Sequence, residues 1–337
     1  MSSTPRRTVV ISLVGALALT TALAASPNAP ARVAAYDWTR RVATAPYAGS
    51  YNYPVFMVRG EAWSLHPRNA WKSSDGVTWH QTALPKSGLN SAYQKYLQLG
   101  DAIYAFGAIT GNYEQFTLST HVLRTTDLQR WDTLARSSNV PHRVFYGAVT
   151  HAGRMWMLGG YDGKQYHNDV WSSSDGVQWT RVTQHAAWSA RTVPSVVVFK
   201  NRMWLLGGGV IDGDREPNPN AEREVWSSAN GVQWTRHRDR SSSMIGGTPV
   251  EFDGHLWIIG ANRRGTFDPG TFVTDDMETW TAGTAPWPAR GGAAVWVMNN
   301  QLFMTGGKYS EGTGANIRFM YRNDVWTMGR KTGEGIR

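Results

Sequence analysis

The sequence predicts an all-β chain, a β-propeller of six four-stranded sheets whose last sheet is completed by the first strand of the mature protein. Three observations carry this. An aromatic residue recurs in the second predicted strand of each unit, at Trp63, Tyr104, Trp156, Trp204, Trp257 and Phe303, spaced 41 to 53 residues apart. That is the period of four-stranded propeller blades. A second series, Trp79, Trp131, Trp179, Trp234 and Trp280, marks the fourth strand; four members follow an aspartate by four residues (Asp75, Asp127, Asp175, Asp276), and Asn230 takes that place before Trp234. This second series is one member short. Tyr36-Asp37-Trp38-Thr39-Arg40-Arg41-Val42 matches Val177-Gln178-Trp179-Thr180-Arg181-Val182, so the N-terminal strand is expected to complete the sixth blade and leave no open seam.

In chain order, residues 1–24 read as a secretory signal peptide: Arg6 and Arg7 precede an apolar run from Val9 to Ala24 that ends in the small-x-small sequence Ala22-Leu23-Ala24. The mature protein is therefore expected in the periplasm or outside the cell, with no membrane span. Residues 25–35 are a linker, 36–329 the propeller and 330–337 a flexible tail. The chain has no cysteine, which excludes disulfides, thiol catalysis and thiolate-bound metal. Removing the signal arginines leaves 32 basic against 25 acidic side chains, a balance that favours acidic ligands or equally a solvated basic surface. No basic run interleaved with aromatics points to nucleic acid.

Residues 143–179 show the repeating unit most clearly: VFYGAV, a tight HAGR turn, MWMLGG, a polar loop, DVWSSS, an Asp-Gly turn and VQWTRV. Asp175-Gly176 predicts a two-residue hairpin, because both central positions of such a turn tolerate positive φ. Val196–Phe199 and Met203–Leu206 are apolar on both faces, as expected for sheets packed between two others. Pro54, Pro194 and Pro249 fall in predicted first strands, the innermost edge of each blade, where a missing N–H costs little.

Gly159-Gly160, Gly207-Gly208 and Gly306-Gly307 close second strands, an arginine precedes the second-strand aromatic by thirteen residues, and a tryptophan marks the fourth strand. Together these resemble kelch repeats, the propeller type of the galactose oxidase central domain. The likeness covers roughly residues 36–329. It departs in three blades, where His66-Pro67, Gly107-Ala108 and Gly260-Ala261 replace the glycine pair. A galactose-oxidase-type copper centre needs a Cys–Tyr pair and is excluded. The sialidase hairpin box is one residue short here and lies at the wrong end of the ring. The architecture is also similar to bacterial N-acetylneuraminate epimerases, exported kelch propellers that act on a sugar acid; this implies a sugar-acid mutarotase or epimerase without a matching catalytic motif.

Topology puts the tight first-to-second and third-to-fourth turns at one end of the ring and the variable loops at the other, which is the expected functional face. Arg143, Arg191 and Arg290 start innermost strands there and could converge on one channel mouth as an anion site; Ser50, Ser91 and Met244 hold that place in the other blades. Each arginine could instead tie a neighbouring loop to a carbonyl or an acid, and Asp169, Glu224 and Asp324, recurring before a Val-Trp pair, read as structural. Trp188 and Trp287, three residues before two of the arginines, could stack on a sugar or plug the gap between blades. Tyr161 and Lys308, directly after glycine pairs, are further ligand-binding candidates, and His142 and Glu222 are candidates for a catalytic proton shuttle. The segment from Asp212 to Glu222 places an oxygen ligand at every second residue, yet it lacks a recognised calcium-loop pattern. No metal or cofactor is expected, and the protein is expected to be a monomer. The sequence thus points to an acidic saccharide as ligand, or alternatively to an acidic polymer or protein partner held by a non-catalytic module.

Overall fold

The computed structural model describes residues 33, 35–66, 69–83, 89, 93–111, 115–210, 220–240, 246–263, 266–312 and 316–331. The expected signal segment, the 211–219 stretch and the end of the expected tail lie outside them. Six four-stranded antiparallel sheets form the blades of a propeller. Blade 1 holds Val55–Val58, Glu61–Leu65, Asn69–Ser73 and His80–Ala83; blade 2 holds Lys95–Leu99, Ala102–Phe106, Val122–Thr125 and Asp132–Ala135. Blade 3 is Gly147–His151, Arg154–Tyr161, Tyr166–Ser173 and Thr180–Thr183; blade 4 is Ser195–Phe199, Arg202–Leu206, Val225–Ser228 and Thr235–Arg236. Blade 5 is Thr248–Phe252, His255–Arg263, Thr266–Thr274 and Thr281–Thr284.

Blade 6 takes Ala294–Met298, Gln301–Thr305 and Val325–Arg330 from the end of the chain and Tyr36–Val42 from its beginning. Trp38 pairs with Met328 and Tyr36 with Arg330, so the N-terminal strand closes the ring as expected. A clasp to blade 5 reinforces the closure: Asp253 accepts hydrogen bonds from the Tyr36 hydroxyl (2.5 Å) and from Arg330 Nε. The third strand of blade 6 runs through Arg330, and Lys331 N–H donates to the Ala35 carbonyl, so ordered structure reaches slightly past the expected boundary.

The second-strand aromatics and the turn glycines explain one another. A Cβ on Gly231 would lie 2.2 Å from the Trp156 ring, and one on Gly76 would lie 2.5 Å from the Phe303 ring. The turn of one blade thus rests on the aromatic of the blade before it. Asp175-Gly176 does not form the expected two-residue hairpin. Only Gly176 has positive φ, and residues 174–179 separate the strands. The longer loop satisfies its own backbone: Asp175 Oδ1 accepts from Val177 and Gln178 N–H, the Ser173 hydroxyl accepts from Gly176 N–H, and Trp179 Nε1 donates to the Gly176 carbonyl. Asp75, Asp127, Asn230 and Asp276 each accept the same pair of backbone N–H bonds.

Candidate functional site

The innermost strands all begin alike. Asn52, Tyr93, Phe145, Val193, Gly246 and Gly292 stand at the equivalent place in blades 1 to 6, and every one has φ between 47° and 70°. This backbone is costly for residues with a side chain, above all for β-branched Val193. A belt of bonds between blades holds it: Asn52 N–H donates to the Gly292 carbonyl (2.9 Å), Gly292 to Gly246 (2.9 Å) and Val193 to Phe145 (2.7 Å). The belt fixes the mouth of the channel. Tyr93 and Phe145 meet edge to face across it at 4.8 Å, and Asn52, Tyr93 and Val193 are exposed.

The arginines start these same strands, but their guanidinium groups turn into the protein. Arg143, Arg191 and Arg290 are 5%, 0% and 0% exposed. Arg143 pairs with Asp169 at 2.5 Å, Arg191 with Glu224 at 2.5 Å, and Arg290 with both oxygens of Asp324 at 2.7 and 2.8 Å. Each also donates to the carbonyl of the first glycine of its blade's Gly-Gly pair: Gly159, Gly207 and Gly306. Each acid in turn accepts the indole N–H of the tryptophan two residues on, Trp171, Trp226 or Trp326. The expected convergence of three arginines on a ligand is therefore corrected. A buried, hydrogen-bonded ion pair leaves the cation no reason to leave its acid for a solvated anion. The three acids are structural, as their recurrence indicated.

Trp188 and Trp287 are 1% and 2% exposed and cannot stack on a sugar. They fill the gaps between blades. Trp188 meets Trp234 at 5.9 Å and 88°, and Trp287 meets Trp38 at 4.1 Å and 83°. Tyr47 faces Trp79 at 5.6 Å in the corresponding place, and the Arg240 guanidinium lies 4.4 Å from the Trp280 ring. Trp38 thus takes the packing role of a fourth-strand tryptophan, which is why its segment matched the others in sequence.

What remains at the loop face is aromatic. From blade 6 a two-stranded ribbon rises, Lys308–Glu311 paired with Arg318–Tyr321, and all four residues of the second strand are exposed. Tyr321 stacks on Tyr51 at 5.5 Å and 22°. Lys308, partly exposed, has its ammonium 4.9 Å from the Tyr51 ring and 4.5 Å from the Phe319 ring, and desolvation holds it below the usual lysine range. Tyr161 is partly buried, its backbone bridged to Val144 and its ring tilted against Tyr166 at 4.8 Å. His142 is exposed and stacks on Phe116 of the ribbon raised from blade 2, at 4.5 Å and 6°. Glu222 is partly buried in the short 3-10 turn Ala221–Arg223 of blade 4. His142 and Glu222 therefore hang from different blades. Of the expected site residues, Lys308, Tyr161, His142 and Glu222 stay at this face.

Sequence reasoning missed Tyr51, Tyr93, Phe319 and Tyr321. Aligning Tyr51-Asn52-Tyr53 with Val144-Phe145-Tyr146 would have placed Tyr51 one residue before the mouth position. Nothing in Arg318–Tyr321 announces a ribbon strand with both faces exposed. Asp212, Asp214, Glu216 and Asn218 fall outside the described residues. Among the described residues no group of three or more His, Asp or Glu is placed to hold a metal ion, and no helix is long and apolar enough to cross a membrane. A cleft of about 310 Å³ lies away from the mouth, between the closing strand and blade 5, lined by Tyr36, Trp38, Trp257 and Met328 among others. It is a packing feature of the ring closure and brings no proton-transfer group together with the rim.

No protein-family model and no curated protein matches the chain. Among solved structures the chain is similar to YjhT, with a TM-score of 0.65, 15% identity, and coverage of 85% of this chain and 96% of that one. At that identity the likeness is one of fold: both are propellers.

Proposed function

We propose that the protein is an exported kelch-type propeller that binds an acidic saccharide on the loop face of its ring, with sugar-acid mutarotation as its activity. The observation that carries the reading is the group formed by Tyr51, Phe319, Tyr321 and Lys308, where exposed aromatic faces surround one partly desolvated ammonium. Exposed aromatic surface beside a fixed cation suits a ligand with an apolar sugar face and an anionic substituent. Mutarotation asks little more. It needs one group to move a proton during ring opening, and exposed His142 is the group that would do so.

The test is a thermal-shift and calorimetric titration of the mature protein with N-acetylneuraminate and glucuronate, beside NMR exchange between anomers. Binding should weaken about tenfold or more in Tyr321→Ala and Lys308→Met with melting unchanged, and exchange should slow in His142→Asn. Sugar acids that neither bind nor exchange faster would overturn the proposal. One observation favours a second reading. The Arg318–Tyr321 strand is exposed along its whole length, which suits a non-catalytic module docking a protein or an acidic polysaccharide. Binding that requires a polymer, with no response to monosaccharides, would select it.

A further inference from the structure

We propose that Lys95 is an oxyanion-binding residue inside the channel, in the space between blades 2 and 3 walled by Tyr146, taking the carboxylate of an acidic sugar or a phosphate. It rests on the proposed function only for the saccharide part of that ligand.

Lys95 opens the innermost strand of blade 2 and pairs with Phe106. The equivalent residues elsewhere are Pro54, Gly147, Ser195, Thr248 and Ala294, all small or cyclic. Ser195 and Thr248 show where this position points, since their hydroxyls donate to Gly247 and Ala293 carbonyls on the next blade, at 3.0 and 2.8 Å. The residue that corresponds on blade 3 is Tyr146, and Lys95 Nζ lies 5.6 Å from its ring centroid. Lys95 alone projects a long cationic side chain from this layer. Burial desolvates its ammonium, while the residue as a whole stays partly exposed.

Among the described residues no carboxylate lies within ion-pair distance of Lys95. The neighbouring cation, Arg143, is occupied by Asp169. A desolvated ammonium without a counterion is costly, and burial draws Lys95 below the usual lysine range. The phenol of Tyr146 is a second unspent donor. It is 2% exposed, its oxygen has no hydrogen-bond partner among the described residues, and burial raises its pKa, so it keeps its proton. Its oxygen sits beside Gly107, next to Phe106, and a Cβ at Gly107 would lie 2.4 Å from it. Above this pair, about 7 Å along the strand, Tyr93 and Phe145 cover the same space at the mouth.

The experiment compares wild type with Lys95→Met and Tyr146→Phe, titrated with inorganic phosphate and separately with glucuronate, and followed by melting temperature and calorimetry. Wild type should be stabilised by phosphate, and Lys95→Met should bind it at least about tenfold more weakly. Without any anion Lys95→Met should melt higher than wild type, because it replaces an unpaired charge with an apolar side chain of similar length. A merely structural lysine would move the other way. Tyr146→Phe should keep its melting point and lose part of the phosphate shift. The proposal is overturned if Lys95→Met melts lower in buffer, or retains the wild-type response to phosphate. If phosphate binds through Lys95 while glucuronate does not bind at all, the oxyanion site stands and the saccharide reading falls.

Discussion

Blades 3, 4 and 6 and blades 1, 2 and 5 close the loop face of the same ring in different ways. In the first set an arginine leading into the innermost strand meets the acid just before the Val-Trp pair of the third, and a Gly-Gly pair ends or follows the second strand. In blades 3 and 6 the second glycine belongs to this device: a Cβ on Gly160 would lie 3.2 Å from the Arg143 side chain, and one on Gly307 would lie 3.1 Å from Arg290. Blades 2 and 5 carry no arginine at that place, and both have Gly-Ala instead of Gly-Gly. Blade 1 has neither feature. There buried His66 packs against Tyr53 at 4.5 Å and Tyr47 at 5.0 Å, and Ser64 Oγ lies 3.0 Å from His66 Nε2. One space is thus filled either by an ion pair or by neutral rings. The arginines are scaffold, and two groups that face the channel, Lys95 and Tyr93, sit on a blade that lacks them.

The largest expected effect breaks the first kind of closure. Arg191→Met should cost about 3–5 kcal/mol in denaturant unfolding, because it takes the buried guanidinium away from Glu224, whose carboxylate then faces half-exposed Arg236 at 3.4 Å and the Trp226 indole N–H. Replacing both partners, as Arg191→Met with Glu224→Leu, should recover most of that loss. A single-variant cost below about 1 kcal/mol would mean that the pair is not what holds blade 4, and the contrast with blade 1 would lose its basis.

The second effect belongs to blade 1 and depends on pH. Burial lowers the folded-state pKa of His66 from 6.5 to about 4, so the unfolded chain takes up the proton first. The stabilisation is fully present above pH 6.5 and is lost as pH falls toward 4, by about 3 kcal/mol. Urea unfolding at pH 7 and pH 4.5 should show it, and His66→Phe should flatten the profile in that window.

The smallest effect is common to both sets of blades. In the hairpin loops desolvation opposes ionisation, but Thr78 and Val77 N–H and the Ser73 and Thr78 hydroxyls outweigh it and lower Asp75 from 3.8 to about 2; Asp127, Asp175 and Asp276 are lowered too. Melting temperature should therefore fall again below about pH 4 as these carboxylates take up protons. Asp175→Ala should cost about 1 kcal/mol, a typical loss for such a cap. Asp175→Asn should cost little at pH 7, since Asn230 already makes the same bonds at 3.0 Å. A large loss in Asp175→Asn would show that the charge, and not the hydrogen bonds, holds the turn.

The sequence made the ring legible because its signals are local and repeated. Aromatic and tryptophan spacings count the blades, and the likeness of Tyr36–Val42 to Val177–Val182 predicts a strand pairing with Val325–Arg330 at the far end of the chain. The site was less legible. Arg143, Arg191 and Arg290 share a position in the repeat, and repetition fixes where a backbone runs without fixing which way a guanidinium turns. Their acids also recur in register, so the pairing was written in the spacing, but only as an alternative. Trp188 and Trp287 were ambiguous for the same reason: a flat ring before an arginine reads alike whether it faces a ligand or the next blade.

What the chain determined by itself is the repeat, its count and its closure, since these follow from hydrophobic period, turn chemistry and pairing between like segments. What only the tertiary structure decided is which polar groups are spent and which are left over. Arg290 is spent on Asp324, 34 residues away, and Lys95 faces a tyrosine from the next blade with no acid beside it. Whether a charge is neutralised is a property of the space around it, and in a propeller that space is shared by neighbouring blades.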